Sequence, residues 1–366
     1  MWIVIIGAGV LGASTAFHLV RAGADVTVVD AALDGRATAA GAGIICPWVS
    51  GVEDPVFHRL YASGGEYYPE LIAALAEAGE IDIGYRRAGA MLVSEDVREL
   101  AWMERQARQC AAPAMGEVSL LSAVEARALF PPLRPGLGGV HVAGGARVDG
   151  RRLAAALLRA AGVLVVQGFG SVAVELGRIV GVDVGDERIP ADRVVVTTGA
   201  WDDRLPVQPQ RGQIMHVRLD GVETRDWPVI LPPGSHYIVP FDGGRIVAGA
   251  TRETGAGFDY RVTAAGQAEV LSEALRIAPG LGAATMLETR VGFRPVGAET
   301  RPLLGWVRGV AGLAVGNGLG AAGLTIGPFA GRLLADLVTE RPGLLDLAPF
   351  DPMRRVEAAG VAMALR

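Results

Sequence analysis

Two groups of residues in this chain combine type and spacing in ways that could do chemistry. The first follows the apolar run Trp2 to Ile6 and reads Gly7-Ala8-Gly9-Val10-Leu11-Gly12, with Asp30 closing a second apolar run. A G-x-G-x-x-G between strand and helix is a dinucleotide cradle. Gly7 permits the tight turn, Gly9 lets backbone approach a pyrophosphate, and Gly12 lets the helix pack close to the strand. The amides around Val10 and Leu11 then point at the phosphates from a helix N-terminus. Asp30 can accept hydrogen bonds from both hydroxyls of an adenosine ribose and would repel a ribose phosphate, which disfavours NADP.

The second group lies late in the chain. Arg294 sits in Val291-Gly292-Phe293-Arg294-Pro295-Val296, where a guanidinium without a partner is costly. Its planar fork matches a carboxylate, either that of a substrate or an internal one, Glu299 or Glu288. Arg301, before Pro302, reads as structural. Tyr237 in His236-Tyr237-Ile238-Val239-Pro240 alternates with Val239 on one strand face; its phenol can donate to the same carboxylate or stand as a half-buried sheet tyrosine. The run Gly316-Asn317-Gly318-Leu319-Gly320-Ala321-Ala322-Gly323-Leu324-Thr325 leaves backbone bare before a helix starting near Thr325 to Pro328, a second anion site.

These residues need elements to position them. The pattern predicts a helix from Ala13 to Ala22 with Gly23 at its C-terminus and an alternating strand Asp25 to Asp30. Helices follow at Val56 to Ala78, Val97 to Cys110 and after Ser122, whose spacing to Glu125 is a capping box. Gly79 to Ala90 reads as strand-like and Pro131 to Gly145 as loop. Asp149 to Ala161 is a helix, Val163 to Gln167 a buried strand, Ser171 to Leu176 and Arg178 to Val184 a hairpin, and Arg193 to Thr198 an apolar strand. Strands at Gln213 to Leu219, His236 to Pro240 and Arg245 to Ala250 precede a helix from Ala264 to Ile277. Nucleotide-type blocks thus recur at the start, middle and end. They imply an α/β fold in which a Rossmann-like domain (1–82, 142–205 and 292–345) is interrupted by a mixed β-sheet substrate domain (83–141 and 206–291).

Composition excludes several chemistries. The 366 residues include 34 basic ones, every one an arginine, so no Schiff-base lysine is available. A net charge of -5 argues against nucleic-acid partners. Cys46 and Cys110 cannot form a disulfide framework, no metal-type Cys/His cluster occurs, and a reducing cytoplasm is the expected location. Residues 1–20 carry no Asp, Glu, Lys or Arg, but the glycines at fingerprint spacing argue against a membrane span or signal segment.

Taken together, these blocks resemble the FAD-dependent amino acid oxidase family, which groups D-amino acid oxidase, glycine oxidase, sarcosine oxidase and the D-amino acid dehydrogenases. The loop Arg36-Ala37-Thr38-Ala39-Ala40-Gly41-Ala42-Gly43, continuing into Ile44, is similar to the family's small-residue loop beside the flavin pyrophosphate. VVVTTGAWDDRL, with Thr198, Gly199 and Trp201, resembles the strand and turn placed against the cofactor, to which Val172 is added. Arg211-Gly212-Gln213-Ile214-Met215, HYIVPFDGGRIVAGAT and GFRPVGAETRPLLGW followed by GNGLGAAGLTIGP resemble its active-site strands. The resemblance implies non-covalent FAD, Arg294 and Tyr237 on the substrate carboxylate, and Gly318, Leu319, Gly320, Gly323, Leu324 and Thr325 at the flavin. It also implies hydride transfer from a D-amino acid, glycine or N-substituted amino acid, with oxygen or an electron carrier as final acceptor. The lysine of sarcosine-oxidase-like members is missing. A 2-hydroxy acid substrate, with His58, His216 or His236 as base, and a flavin-containing structural subunit stay open, as does homo-oligomerisation.

Overall fold

The computed structural model describes residues 1–110 and 112–354. Trp2–Ile6 lies near the middle of a six-stranded sheet ordered Leu303–Trp306, Leu313–Asn317, Arg193–Val196, Trp2–Ile6, Asp25–Asp30, Leu164–Gln167. Its neighbours all run parallel except Leu303–Trp306, which is antiparallel. Alternation splits Trp2–Ile6 between two cores. Ile3 and Ile5 join the helical layer, whereas Val4 and Ile6 pack with Ile179 and Val182 of a three-stranded antiparallel sheet on the other face.

The helical layer is held close by small residues. Ser14 on the helix Val10–Arg21 donates to the Pro328 carbonyl at 2.7 Å, and a Cβ on Gly331 would stand 2.6 Å from Ser14. The helix Gly323–Val338 is therefore a core helix, although Gly320–Val338 has, among the described residues, the length and mean hydropathy of a membrane span. The residues 1–20 without charge divide into a strand and a helix.

The second sheet has nine strands. Its spine is the antiparallel pair Val207–Arg218 and Thr285–Gly297, paired from Val207 opposite Gly297 to Arg218 opposite Thr285 with one register shift between His216 and Val217. That strand carries residues 292–297, including Arg294, into this sheet, across the boundary drawn at 291/292, because Val291 pairs with Gln213 and Gly292 with Gly212 in the same register. Tyr237–Pro240 and Arg245–Gly249 extend the sheet on the other side.

Some local expectations need correction. Gly79 to Ala90 is mostly irregular, since Gly79, Gly84 and Gly89 all take positive φ, and the strand is Ala90–Ser94. Pro131 to Gly145 contains the strand Gly138–Val142, its glycines lying where Leu100 and Met91 press in. Leu164–Gln167 is an exposed edge strand, open to solvent on its outer side. The helix placed near Thr325 begins at Gly323 and runs through Pro328. Ser122 and Glu125 do form the capping box.

Candidate active site

Both residue groups line one cavity of about 1170 Å³. Its first wall is backbone. Gly7 turns at φ +109°, and its amide donates to Val29 at 2.7 Å. The Asp30 carboxylate accepts the Ala8 amide at 2.6 Å and the Ala32 amide at 2.7 Å, with Arg36 3.4 Å away. Thr38 accepts the Val10 amide at 3.0 Å. A Cβ on Gly12 would collide with the Gly7 carbonyl and lie 2.6 Å from Thr197 Oγ1, so only glycine lets helix and turn approach this far.

Neither helix start at this wall is capped by its own N-cap side chain, since Gly9 precedes Val10–Arg21 and Ala322 precedes Gly323–Val338; Thr38 takes only the Val10 amide. Their first amides lack intrahelical partners and attract negative charge. Thr325 donates to the Ile44 carbonyl at 3.0 Å, tying the two segments together. Trp48 Nε1 and His58 Nε2, both on residues of the cavity wall, are buried without a hydrogen-bond partner among the described residues. Two helix N-termini, a carboxylate at the strand end and buried ring nitrogens without partners among the described residues fit a dinucleotide carrying an extended aromatic system.

The second wall is made of side chains on long strands. Arg294 projects from Thr285–Gly297 across Gly212 of the paired strand, where a Cβ would stand 2.6 Å from the guanidinium. Tyr237 faces Gly249, where a Cβ would come within 3.0 Å of its hydroxyl. Two strand glycines therefore make room for the two polar side chains. Arg294 donates to the Thr251 carbonyl at 3.1 Å and stands beside the Tyr237 hydroxyl. Among the described residues it has no carboxylate partner, because Glu288 is taken by Arg290 and Glu299 by Arg354. Burial lowers the Arg294 pKa from its ordinary value and raises that of Tyr237, so the phenol keeps its proton as a donor. Arg301 forms a two-pronged pair with Asp54, the N-cap of the helix Pro55–Glu77.

Of the other residues singled out above, Gly7, Gly9, Val10, Leu11, Asp30, Arg36, Thr38, Gly41, Ala42, Gly43, Ile44, Thr198, Gly199, Trp201, Leu319, Gly320, Gly323 and Leu324 line the cavity. Gly12, Ala39, Val172, Gly318 and Thr325 do not. Gly12 and Thr325 act from behind the wall, through packing and through Ile44. The Ala39 carbonyl accepts from Arg151 at 3.0 Å, Val172 packs beneath the sheet while Gly170 and Ser171 reach the cavity, and Gly318 donates to Asn317 Oδ1 at 2.7 Å.

Among the histidines, His58 and His236 reach the cavity, whereas His216 is buried beside Glu288 with its pKa pushed down to about 4, chiefly by burial. Sequence reasoning passed over Trp48, Tyr61, Trp102 and Arg252, which also line it. For Arg252 the sequence offers only its place three residues past the apolar strand that ends at Gly249, which does not say which way the side chain faces.

Comparison with known proteins gives consistent matches. The FAD dependent oxidoreductase family matches residues 3–337. The chain is similar to iminodiacetate oxidase from Chelativorans sp. BNC1, with 50% identity and a TM-score of 0.93 over 96% of this chain and 98% of that one. It is 47% identical to an uncharacterized oxidoreductase of Bacillus subtilis, covering 95% of this chain and 98% of that protein. It is 30% identical to glycine oxidase of Pseudomonas putida, covering 97% and 99%.

Proposed function

The chain belongs to the FAD dependent oxidoreductase family, and on that premise we propose that it oxidises the C–N bond of a small amino acid, with Arg294 and Tyr237 binding the substrate carboxylate. One observation carries this reading: a guanidinium on an apolar cavity wall whose candidate internal carboxylates are both committed elsewhere. Leaving such a charge uncompensated is costly, and a diffusible carboxylate in bidentate geometry satisfies it.

FAD, when bound, would supply the acceptor for the hydride, which carries both electrons away from the carbon bearing nitrogen. The residues that would hold it are the Gly7–Gly12 turn, Asp30, the Arg36–Ile44 loop and the start of the helix Gly323–Val338. The chain's own work is orientation. Arg294 fixes the carboxylate by two parallel donors, Gly212 leaves the space in which that fork lies, and Tyr237 adds a third donor. A neutral amine releases hydride without a side-chain base as its nitrogen lone pair forms the C=N bond. Water then adds to the imine carbon and expels ammonia or an amine, leaving a keto acid or aldehyde. The captured electrons pass to oxygen or to a carrier. A second reading, oxidation of a 2-hydroxy acid, is supported by His58 and His236 at the cavity, either of which could take a hydroxyl proton.

Anaerobic mixing of the purified protein with D- and L-amino acids, N-methyl amino acids and 2-hydroxy acids tests the choice. Bleaching of the flavin by amino acids and not by hydroxy acids is expected. Bleaching by hydroxy acids alone would overturn the reading.

A further inference from the structure

Arg252 stands on the same cavity wall as Arg294 and Tyr237, with its side chain exposed. It directly follows Thr251, whose carbonyl accepts the Arg294 guanidinium at 3.1 Å. Its charge acts on both Arg294 and Tyr237, so two guanidiniums and a phenol converge there. No acid answers the second one. The adjacent Glu253 is turned the other way and spent: it accepts from Arg211 at 3.0 Å, from Gln213 at 2.8 Å and from Thr251 at 2.7 Å. Arg204, another cation of the wall, is already paired with Asp202 at 2.8 Å. Arg252 has neither a salt bridge nor a side-chain hydrogen bond among the described residues.

Two like charges on one wall repel, and a ligand with one carboxylate relieves only one of them. We infer that the cavity is shaped for an amino acid carrying two carboxylates, the first held by Arg294 and Tyr237 and the second by Arg252. This rests on the C–N oxidation reading above and adds its substrate class. Arg252 is then a specificity-determining residue: its fork binds an arm of the substrate away from the reacting C–N bond, and the dianion neutralises both guanidiniums at once.

The test uses pairs of compounds that differ by one carboxylate. Iminodiacetate and N-methylglycine are compared as reductants of the holoenzyme, and their unreactive ether counterparts, diglycolate and methoxyacetate, are compared in binding by calorimetry. Wild type should prefer the dicarboxylate in both measurements by at least about tenfold, and Arg252→Gln should shrink both preferences by roughly ten- to a hundredfold, the effect of losing one charge-assisted fork. Arg252→Lys should restore the binding preference in part, since it returns the charge without the fork. Preferences that survive in Arg252→Gln, or their absence in wild type, would overturn the inference. If N-methylglycine bleaches the flavin as well as iminodiacetate does, the inference fails and the C–N oxidation reading stands. If no amine bleaches it, neither these two nor any amino acid of the panel above, that reading fails, and the calorimetry still decides whether Arg252 holds a second carboxylate.

Discussion

Around the Gly7–Gly12 turn the cavity wall is backbone, whereas around Arg294 it is long side chains carried on paired strands. The first wall depends on what is missing, since its glycines let main-chain amides and helix ends come close. Its hydrogen bonds are local, as from Ala8 and Ala32 to Asp30. The second wall joins residues far apart in the chain, with Tyr237, Thr251 and Arg294 meeting only because Val207–Arg218 lies between their strands. On the proposed reading, a cofactor common to many substrates is gripped by groups that every residue has, and the variable substrate is read by side chains that can be exchanged without disturbing that grip.

Substitutions can break this contrast in a graded way. The largest effect is expected for Gly12→Val, where a side chain would be forced into the Gly7 carbonyl with no flexible neighbour to yield. Soluble protein should be scarce or colourless, measured as flavin absorbance per mole of purified chain; a yellow variant at wild-type yield would refute the close-packing account. Gly212→Ala should act on the other wall alone. Its Cβ would press on the flexible end of Arg294, so the protein should stay folded and yellow. Flavin reduction should slow by about ten- to a hundredfold as the fork is displaced. Unchanged reduction would mean that Arg294 does not need that gap.

Asp30→Ala should weaken FAD retention by about tenfold, the scale of one charge-assisted hydrogen bond, as read by dilution or dialysis of the holoenzyme. It should leave the preference among bound substrates as it was.

The remaining effect concerns stability and leaves both walls of the cavity untouched. His18 is buried against Tyr67 at 2.8 Å, and burial pushes its pKa down to about 3. The unfolded chain takes up a proton below about 6.5 that the folded one refuses until about pH 3, so stability should fall as pH drops through this window. Thermal midpoints across it should decline less steeply in His18→Gln, and an equal slope would place the acid sensitivity elsewhere.

Legibility in the sequence follows the same division. The Gly7–Gly12 turn, Asp30 and the capping box at Ser122 could be read because each is a local rule in which neighbours determine one another's geometry. Arg294 could be singled out because a cation in an apolar run demands a partner, yet the reason it lacks an internal one is visible only in space: Arg290 takes Glu288 and Arg354 takes Glu299. Arg252 escaped notice because nothing in Thr251-Arg252-Glu253 tells which charge faces the cavity. Pairing of Glu253 with Arg211 decides it. Leu164–Gln167 misled for the opposite reason, since an apolar run does not reveal whether its strand is central or at an edge.

The central claim, that Arg294 anchors a substrate carboxylate, is tested most directly by anaerobic flavin reduction in Arg294→Ala with the best amino acid found for wild type. The variant should fold and retain FAD that acid releases. Its reduction should slow by about ten- to a hundredfold from the lost charge-assisted bonds, and further from misalignment. Reduction at the wild-type rate, or a chain that no longer folds, would contradict the account.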